Sequence, residues 1–206
     1  SLGLADSYTI TTAHQPNLLT GPLYFIYKIA HTVALAKSLK KQIPEANFVP
    51  VYYMGSEDAD LDELGFITVG GQKLVWETNQ KGAVGRMLVD AKLIALIKQV
   101  EGQISVSSQG ASWVSILKET FTVGKTIAQA TLEIVHHLFG EYGVVIVQPD
   151  SPALKSLFTS VIEKELTTGF SNKAVQHTIQ ALSAHYKVQA AGREINLFYL
   201  QDNKRE

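Results

Sequence analysis

The sequence predicts an α/β fold built on an open parallel sheet, with a β-hairpin and a helical region inserted between its strands. Short β-rich runs alternate with helical repeats in the order β-α-β, and another apolar strand and more helices come after a long mixed segment. A hydrophobic content of 46% with 18% charged residues is ordinary for globular proteins. A chain of 206 residues suits one domain, or one domain with an insertion.

The first β-α-β unit occupies roughly the first quarter of the chain. The β-branched run 8–13 predicts a strand. Apolar residues at helical spacing predict a helix over 23–41, and Thr20 and Pro22 suit its start. The run 47–54 (NFVPVYYM) predicts the second strand, although proline is unusual inside a strand.

The predicted insertion covers about 66–140. Residues 67–90 indicate β-structure with a tight turn at Gly70-Gly71, and helices are predicted at 91–100 and 113–139. After the insertion, the apolar run GVVIVQ (143–148) is typical of a buried parallel strand. The remaining predictions are helices at 153–168 and 172–186 and strands at 187–191 and 194–200.

Charge and composition exclude several classes of partner. A net charge of −1 gives no general attraction for nucleic acid, so none is expected as a partner. No run approaches the roughly 18 apolar residues of a membrane span, and the first residues do not resemble a signal peptide. The absence of cysteine excludes disulfides and a thiol nucleophile, and it fits a reducing compartment. We therefore expect a cytoplasmic protein with no membrane partner.

Two polar blocks follow the first two predicted strands. The first is HQPNLLTGPLYFIYK, where a strand end leads through a loop into a helix N-terminus that can hold phosphate or carboxylate. The alternative is that the polar side chains only satisfy the backbone of the turn. The candidate ligand-binding residues of this block are His14, Gln15, Asn17, Thr20, Gly21, Tyr24 and Lys28.

The second block is GSEDADLDE (55–63), with five carboxylates in nine residues. Glu57, Asp58 and Asp60 are candidates to bind an ammonium group, a ribose or Mg²⁺ carrying ATP phosphates. The alternative is an acidic helix start, to which Asp62 and Glu63 are assigned. In parallel sheets ligands bind beyond the carboxyl ends of the strands, so we expect both blocks to share one cleft.

Other polar residues carry weaker signals. Arg86, Arg193 and Asn196 are candidates to contact an anionic substrate, although an exposed arginine in a hairpin or strand is the commoner reading. The adjacent histidines at 136 and 137 point about 100° apart on a helix and do not form a metal pair. No metal site is predicted.

Four ordered blocks resemble the BshC family, the cysteine ligase family of bacillithiol biosynthesis. The blocks are TAHQPNLLTGPLYFIYKI, VPVYYMGSEDADLDE, YGVVIVQPDSPALKSLF and REINLFYL, and the resemblance extends over nearly the whole chain. It implies a Rossmann-like core similar to class I aminoacyl-tRNA synthetases and pantothenate synthetase. This chain has Ala59 where many relatives have histidine, so no role of that histidine is transferred.

The resemblance implies that the family adds L-cysteine to glucosaminyl-malate, with ATP or another nucleotide and Mg²⁺ activating the cysteine carboxylate. It assigns His14, Glu57 and Asp58 to catalysis, with the first block holding phosphate or carboxylate and the second holding an amine. Two alternatives stay open: a nucleotide- or sugar-acid-binding module without ligase activity, and a nucleotidyltransferase.

The resemblance also implies a longer family protein, of which residues 1–206 form the first half of the core domain. The second half of the core and a helical coiled coil are then absent from this chain. We expect the chain alone to be inactive as a ligase. Apolar surface left uncovered would favour association, so a homo-oligomer is also expected.

Overall fold

The computed structural model describes residues 2–58, 60–190, 192–201 and 204–205. These residues form two compact units, divided between Pro149 and Asp150, with Lys204 assigned to the first unit and Arg205 to the second. Ala59 and Ala191, which fall within sequence predictions made above, lie outside the described residues.

The first unit contains a three-stranded parallel sheet in the order β1-β2-β5, which confirms the predicted open parallel α/β fold. β1 pairs with β2 along its whole length, whereas β5 pairs only with Val51–Tyr53 of β2. Pro50 precedes that doubly paired segment. The sheet elements and their connecting helix are β1 (Ser7–His14), α1 (Tyr24–Gln42), β2 (Asn47–Met54) and β5 (Val145–Val147).

Between β2 and β5 the chain forms a hairpin and a group of helices. Gly70 and Gly71 adopt φ values of 57° and 81° in the hairpin turn, as the Gly-Gly pair predicts. The predicted helical region 113–139 is interrupted between Thr120 and Ile127, where Gly124 adopts a φ of 87°. The elements are α2 (Leu61–Leu64), β3 (Phe66–Val69), β4 (Gln72–Val75), α3 (Ala91–Ile104), α4 (Gly110–Thr120) and α5 (Ile127–Phe139).

Two hydrophobic clusters hold the first unit together. One lies between α1, β2 and α5 and includes Phe25, Tyr52 and Val135. The other joins the hairpin to α3, α4 and α5, and Leu18 and Leu19 from the loop after β1 are buried in it. The loop that follows β1 is therefore fixed to the inserted region by apolar burial.

The second unit is mainly helical. The predicted helix 153–168 is divided at Leu157 and Phe158, whose amides bond to carbonyls three residues back and so tighten the end of its first part. This unit also contains the two-residue strand β6 (Leu200–Gln201), and the residues of the two-residue strand β7 (Lys204–Arg205) are assigned to different units. The helices are α6 (Pro152–Ser156), α7 (Thr159–Thr168) and α8 (Phe170–Ser183).

Two predictions of β-structure are wrong. The second half of 67–90 forms a 3-10 turn at Val84–Arg86, and Leu88 makes only an isolated bridge to Thr126. The described residues of 187–199 lie outside helices and strands, since Asn196 and Arg193 bond to side chains of α7 and α8 instead. In both segments the backbone polar groups find partners other than a neighbouring strand.

No helix in the described part of the chain is long and apolar enough to cross a membrane.

Candidate functional site

The two polar blocks lie at the same edge of the sheet. β1 and β2 end in register, with His14 opposite Met54. The next amide, Gly55 N–H, donates to the His14 carbonyl at 2.8 Å, and the buried Tyr52 hydroxyl donates to the same carbonyl at 3.1 Å. This register confirms the prediction that the two strand ends lie side by side. Parallel strands with matched ends place the loops that follow them next to each other.

A side-chain bond joins the two blocks directly. Gln15 Nε2 donates to Asp58 Oδ2 at 2.5 Å, and the Asp60 amide donates to Asp58 Oδ1 at 3.3 Å. Both oxygens of this half-buried carboxylate are thereby oriented. Glu57 is also half-buried at this edge. The sequence placed both carboxylates beyond the strand, but their fixed orientation depends on a glutamine 43 residues away.

The surroundings of His14 favour a neutral imidazole whose single N–H is at Nε2. The Gln15 amide donates to Nδ1 at 2.8 Å, so the neutral imidazole carries its hydrogen on Nε2. Burial, reinforced by the Lys28 ammonium, holds the pKa of His14 below its ordinary value of 6.5. Nε2 is fully enclosed and has no hydrogen-bond partner among the described residues. Nε2–H is thus a buried donor that makes no hydrogen bond to the described residues.

Aromatic and charged residues from α1 surround this histidine. Tyr24 stacks on the His14 ring with 5.0 Å between centroids, and Phe25 packs on it at a tilt. Lys28 Nζ donates to the Ala13 carbonyl at 2.8 Å, which places the ammonium at the end of β1. The first turn of α1 contains no acidic residue. The combination of a neutral imidazole donor, an ammonium and a helix start suits an anionic group.

The loop between β1 and α1 has a strained backbone. Leu19 (φ 49°), Thr20 (φ 77°) and Gly21 (φ 57°) are consecutive residues at positive φ, which is rare for a β-branched residue such as Thr20. Thr20 is not the helix cap that the sequence suggested, since Leu23 occupies that position. A Cβ on Gly21 would lie 2.5 Å from the Asn17 Cβ, so this glycine allows the turn to close over Asn17. Such strain persists where surrounding packing imposes it, and it concentrates at functional sites.

Buried polar atoms without partners gather at this edge. Four side-chain atoms have this property in the described residues, and three of them belong to the end of β1 or to the loops after β1 and β2: His14 Nε2, Asn17 Oδ1 and Ser56 Oγ. The fourth, Thr131 Oγ1, lies on α5. An unpaired buried polar atom costs about 1–3 kcal/mol, so its retention in a cluster points to a ligand or an ordered water.

Ser56 is the residue of this cluster that the sequence reasoning missed. It is only 1% exposed, lies two residues beyond the end of β2, and precedes the two candidate carboxylates. The same pattern of a strand followed by polar residues could have identified it.

Two further candidates have different local roles. Asp60 caps α2, since its side chain accepts from the Glu63 amide at 3.3 Å, as the helix-start alternative predicts for this block. Arg86 is brought towards the carboxylates by its turn, because the Val84 and Gly85 amides donate to the carbonyls of Asp58 and Ser56 at 2.8 and 3.0 Å.

Arg193 and Asn196 belong to the second unit and contact other residues of that unit. The Arg193 guanidinium lies 4.7 Å from the Phe198 ring centroid, and its carbonyl accepts from Asn172. The side-chain amide nitrogen of Asn196, Nδ2, donates to Ser171 Oγ at 2.7 Å. Their role as anion-binding residues stays a prediction.

No cluster of three or more histidine, aspartate or glutamate side chains in the described residues has the arrangement of a metal site. Mg²⁺ commonly binds through one or two carboxylates together with substrate phosphates.

Comparison with known proteins gives a consistent result over the whole chain. Residues 1–206 match the family model described as "Bacillithiol biosynthesis BshC, N-terminal Rossmann-like domain". A protein of Flavobacterium psychrophilum named "Putative cysteine ligase BshC" is 42% identical over 200 residues, which are 97% of this chain and 37% of that protein. Proteins of the same name from Cytophaga hutchinsonii and Natranaerobius thermophilus are 40% and 31% identical, over 100% and 80% of this chain and 37% and 31% of their own lengths. The chain thus spans less than two fifths of these curated relatives.

Proposed function

The chain belongs to the BshC family as its N-terminal Rossmann-like domain, and on this premise we propose that it forms a substrate-binding part of a cysteine ligase. The proposed reaction joins the carboxyl group of L-cysteine to the amino group of glucosaminyl-malate in the last step of bacillithiol biosynthesis. The names of the relatives support the ligase class, and the substrates are the finer part of the proposal.

The observation that carries the proposal is the Gln15–Asp58 bond at the sheet edge. It fixes a half-buried carboxylate beside the unpartnered donor of His14. Amide formation needs one site for an amine and one for a carboxylate, held next to each other. An oriented carboxylate and a donor-rich loop at adjoining strand ends match those two requirements.

The amine site is assigned to Glu57 and Asp58. Their carboxylates would bind the ammonium of glucosaminyl-malate and would take the proton that the nitrogen must lose before it attacks. As the nitrogen bonds to the carboxyl carbon of cysteine, the bond from that carbon to the leaving oxygen breaks. Both Asp58 oxygens already accept hydrogen bonds, which orients this carboxylate.

The anion site is assigned to the loop after β1 and the start of α1. The His14 Nε2–H can donate to a carboxylate or phosphate oxygen, and Lys28 supplies positive charge beside it. Gln15, Asn17, Thr20, Gly21 and Tyr24 shape this loop around the anion. A bound nucleotide such as MgATP would supply the leaving group for the cysteine carboxyl, and these residues fit the phosphate of such a group.

The test is an assay of the whole protein with L-cysteine, glucosaminyl-malate and MgATP, in which mass spectrometry detects the amide product and the nucleotide products. Reactions lacking one component at a time serve as controls. Amide that forms only in the complete mixture supports the proposal. Nucleotide binding without product would indicate a binding module, and a nucleotidyl group transferred to a substrate without amide would indicate a nucleotidyltransferase.

A further inference from the structure

The loop that carries Ser56, Glu57 and Asp58 is held from outside the parallel sheet by the turn Val84–Arg86. Val84 N–H donates to the Asp58 carbonyl at 2.8 Å, and Gly85 N–H donates to the Ser56 carbonyl at 3.0 Å. The two bonds hold the loop on both sides of Glu57, at the carbonyls of Ser56 and Asp58. Each fixes the backbone immediately next to a proposed substrate-binding side chain.

Contact between the turn and the loop is closer than any side chain at Gly85 would permit. A Cβ on this glycine would lie 2.4 Å from the Ser56 carbonyl oxygen and 2.6 Å from the Ser56 Cβ. One of these neighbours is backbone, so it cannot move aside by a rotamer change. Glycine is required at this position by close approach.

The turn itself is firmly anchored in the inserted region. Val84 and Met87 are buried in the cluster formed by the hairpin, α3, α4 and α5. Backbone bonds also join the strand-like segment after the turn to the start of α5: Ile127 N–H donates to the Met87 carbonyl at 2.9 Å, and Val89 N–H to the Lys125 carbonyl at 2.8 Å. The two carboxylates of the loop, by contrast, are half-buried.

We infer that the Gly85 turn is a positioning element, which sets the place of the carboxylate loop and thereby the affinity for the amine-bearing substrate. The inference rests on the proposed function for the chemical identity of that substrate. Gly85 and Val84 touch no substrate in this account and act through Ser56 and Asp58. A displacement of about 1 Å at a reacting group can cost on the order of 100-fold in rate or affinity.

The first test is Gly85→Ala in the whole protein, with Gly102→Ala as the matched control. Gly102 is an exposed glycine of α3 with no atom within 4 Å of its ideal Cβ, so its substitution adds the same methyl group without a collision. We expect the KM for glucosaminyl-malate to rise at least about tenfold in Gly85→Ala and to stay unchanged in Gly102→Ala. A variant that only folds less well would lose active enzyme, which lowers kcat and leaves KM unchanged; that result would overturn the inference.

A second pair of variants covers the case in which Gly85→Ala does not fold. Val84→Pro removes the N–H that bonds to Asp58, and Ala83 (φ −64°, ψ 120°) already has the extended backbone that a residue before proline needs. Val84→Ala removes side-chain volume but keeps the N–H. We expect the KM for glucosaminyl-malate to rise in Val84→Pro and not in Val84→Ala, and equal KM values in the two would contradict the inference.

A crystal structure of Gly85→Ala separates this inference from the proposed function. A displaced 55–58 loop is expected, and an unmoved loop would overturn the inference whatever the activity. Absence of ligation in the wild-type whole protein would overturn the proposed function while leaving the measured displacement as a test of the turn.

Discussion

Asp58 in the first unit and Glu165 in the second are both oriented carboxylates, but their surroundings differ. Asp58 is half-buried and accepts from Gln15 and Asp60, and unpartnered polar atoms lie at the same sheet edge, on His14 at the end of β1 and on Ser56 in the loop after β2. Glu165 is 3% exposed and accepts from the Ser171 hydroxyl, the Ser171 amide and the Asn196 amide.

The two carboxylates differ in whether buried polar atoms without hydrogen-bond partners lie around them. None of the buried unpartnered side-chain atoms found in the described residues belongs to the second unit. A carboxylate with several donors, among described residues whose buried side-chain polar atoms all have partners, stabilises its own fold. Where buried donors and acceptors remain unpaired, the arrangement retains a capacity that a ligand can satisfy. This contrast favours the sheet edge as the functional site.

The largest expected effect is at Asp58. In the whole protein, Asp58→Ala should lower the rate of cysteine ligation by about 100-fold or more, because it removes an oriented charge at the reacting amine. The melting temperature should change little. Asp62→Ala is the control, since Asp62 is an exposed acid of the same block on α2. Wild-type ligation by Asp58→Ala would reassign this block to helix capping.

The opposite outcome is expected at Glu165. Hydrogen bonds from the Ser171 side chain, the Asn196 amide and the Ser171 amide hold the pKa of Glu165 below its ordinary value, despite the opposing effect of burial. Its contribution to stability is therefore present above pH 4.5, its ordinary pKa, and is lost as the pH falls through the lower folded value. Glu165→Ala should lower the melting temperature at neutral pH. It should leave the KM for L-cysteine and the KM for glucosaminyl-malate unchanged. An increase in either KM at full folding would place this network in a binding site.

Asp60 tests whether an acid in the site block acts as a cap or as a ligand. Asp60→Ala should lower the free energy of unfolding by about 1 kcal/mol, because it removes an N-cap. Asp60→Asn should retain both stability and ligation, since asparagine caps as well as aspartate without the charge. Chemical denaturation and steady-state kinetics measure the two quantities. A loss of activity in Asp60→Asn would show that the charge itself is needed.

The smallest expected effect is the pH dependence that His14 contributes. Because its folded pKa is lowered, the unfolded chain binds a proton more readily than the folded chain does. Stability from this group should therefore be lower at acid pH, should rise as the pH increases towards 6.5, and should be constant above it. His14→Phe keeps an aromatic ring against Tyr24 and should remove that part of the pH dependence in denaturant titrations. Identical pH profiles for the two proteins would contradict a buried neutral histidine.

The sequence by itself determined the parallel α/β core and the location of both polar blocks. Strand period, helical repeat and the Gly-Gly turn depend on local chemistry, so β1, α1, β2 and the hairpin could be predicted within a few residues. Family resemblance added the class of reaction to that local reading. The layout of the two predicted strands was also sufficient to indicate that the two polar blocks would come together, because the ends of neighbouring parallel strands share one edge.

Tertiary structure alone decided which polar atoms at that edge are satisfied and which are left unpaired. The Gln15–Asp58 bond and the packing of Gly85 on Ser56 join residues 43 and 29 positions apart, respectively. The segments 82–89 and 187–199 were predicted as strands from local preference, but long-range hydrogen bonds gave their backbone other partners. Hydrogen-bond satisfaction depends on every neighbour in three dimensions, whereas periodicity depends only on neighbours along the chain.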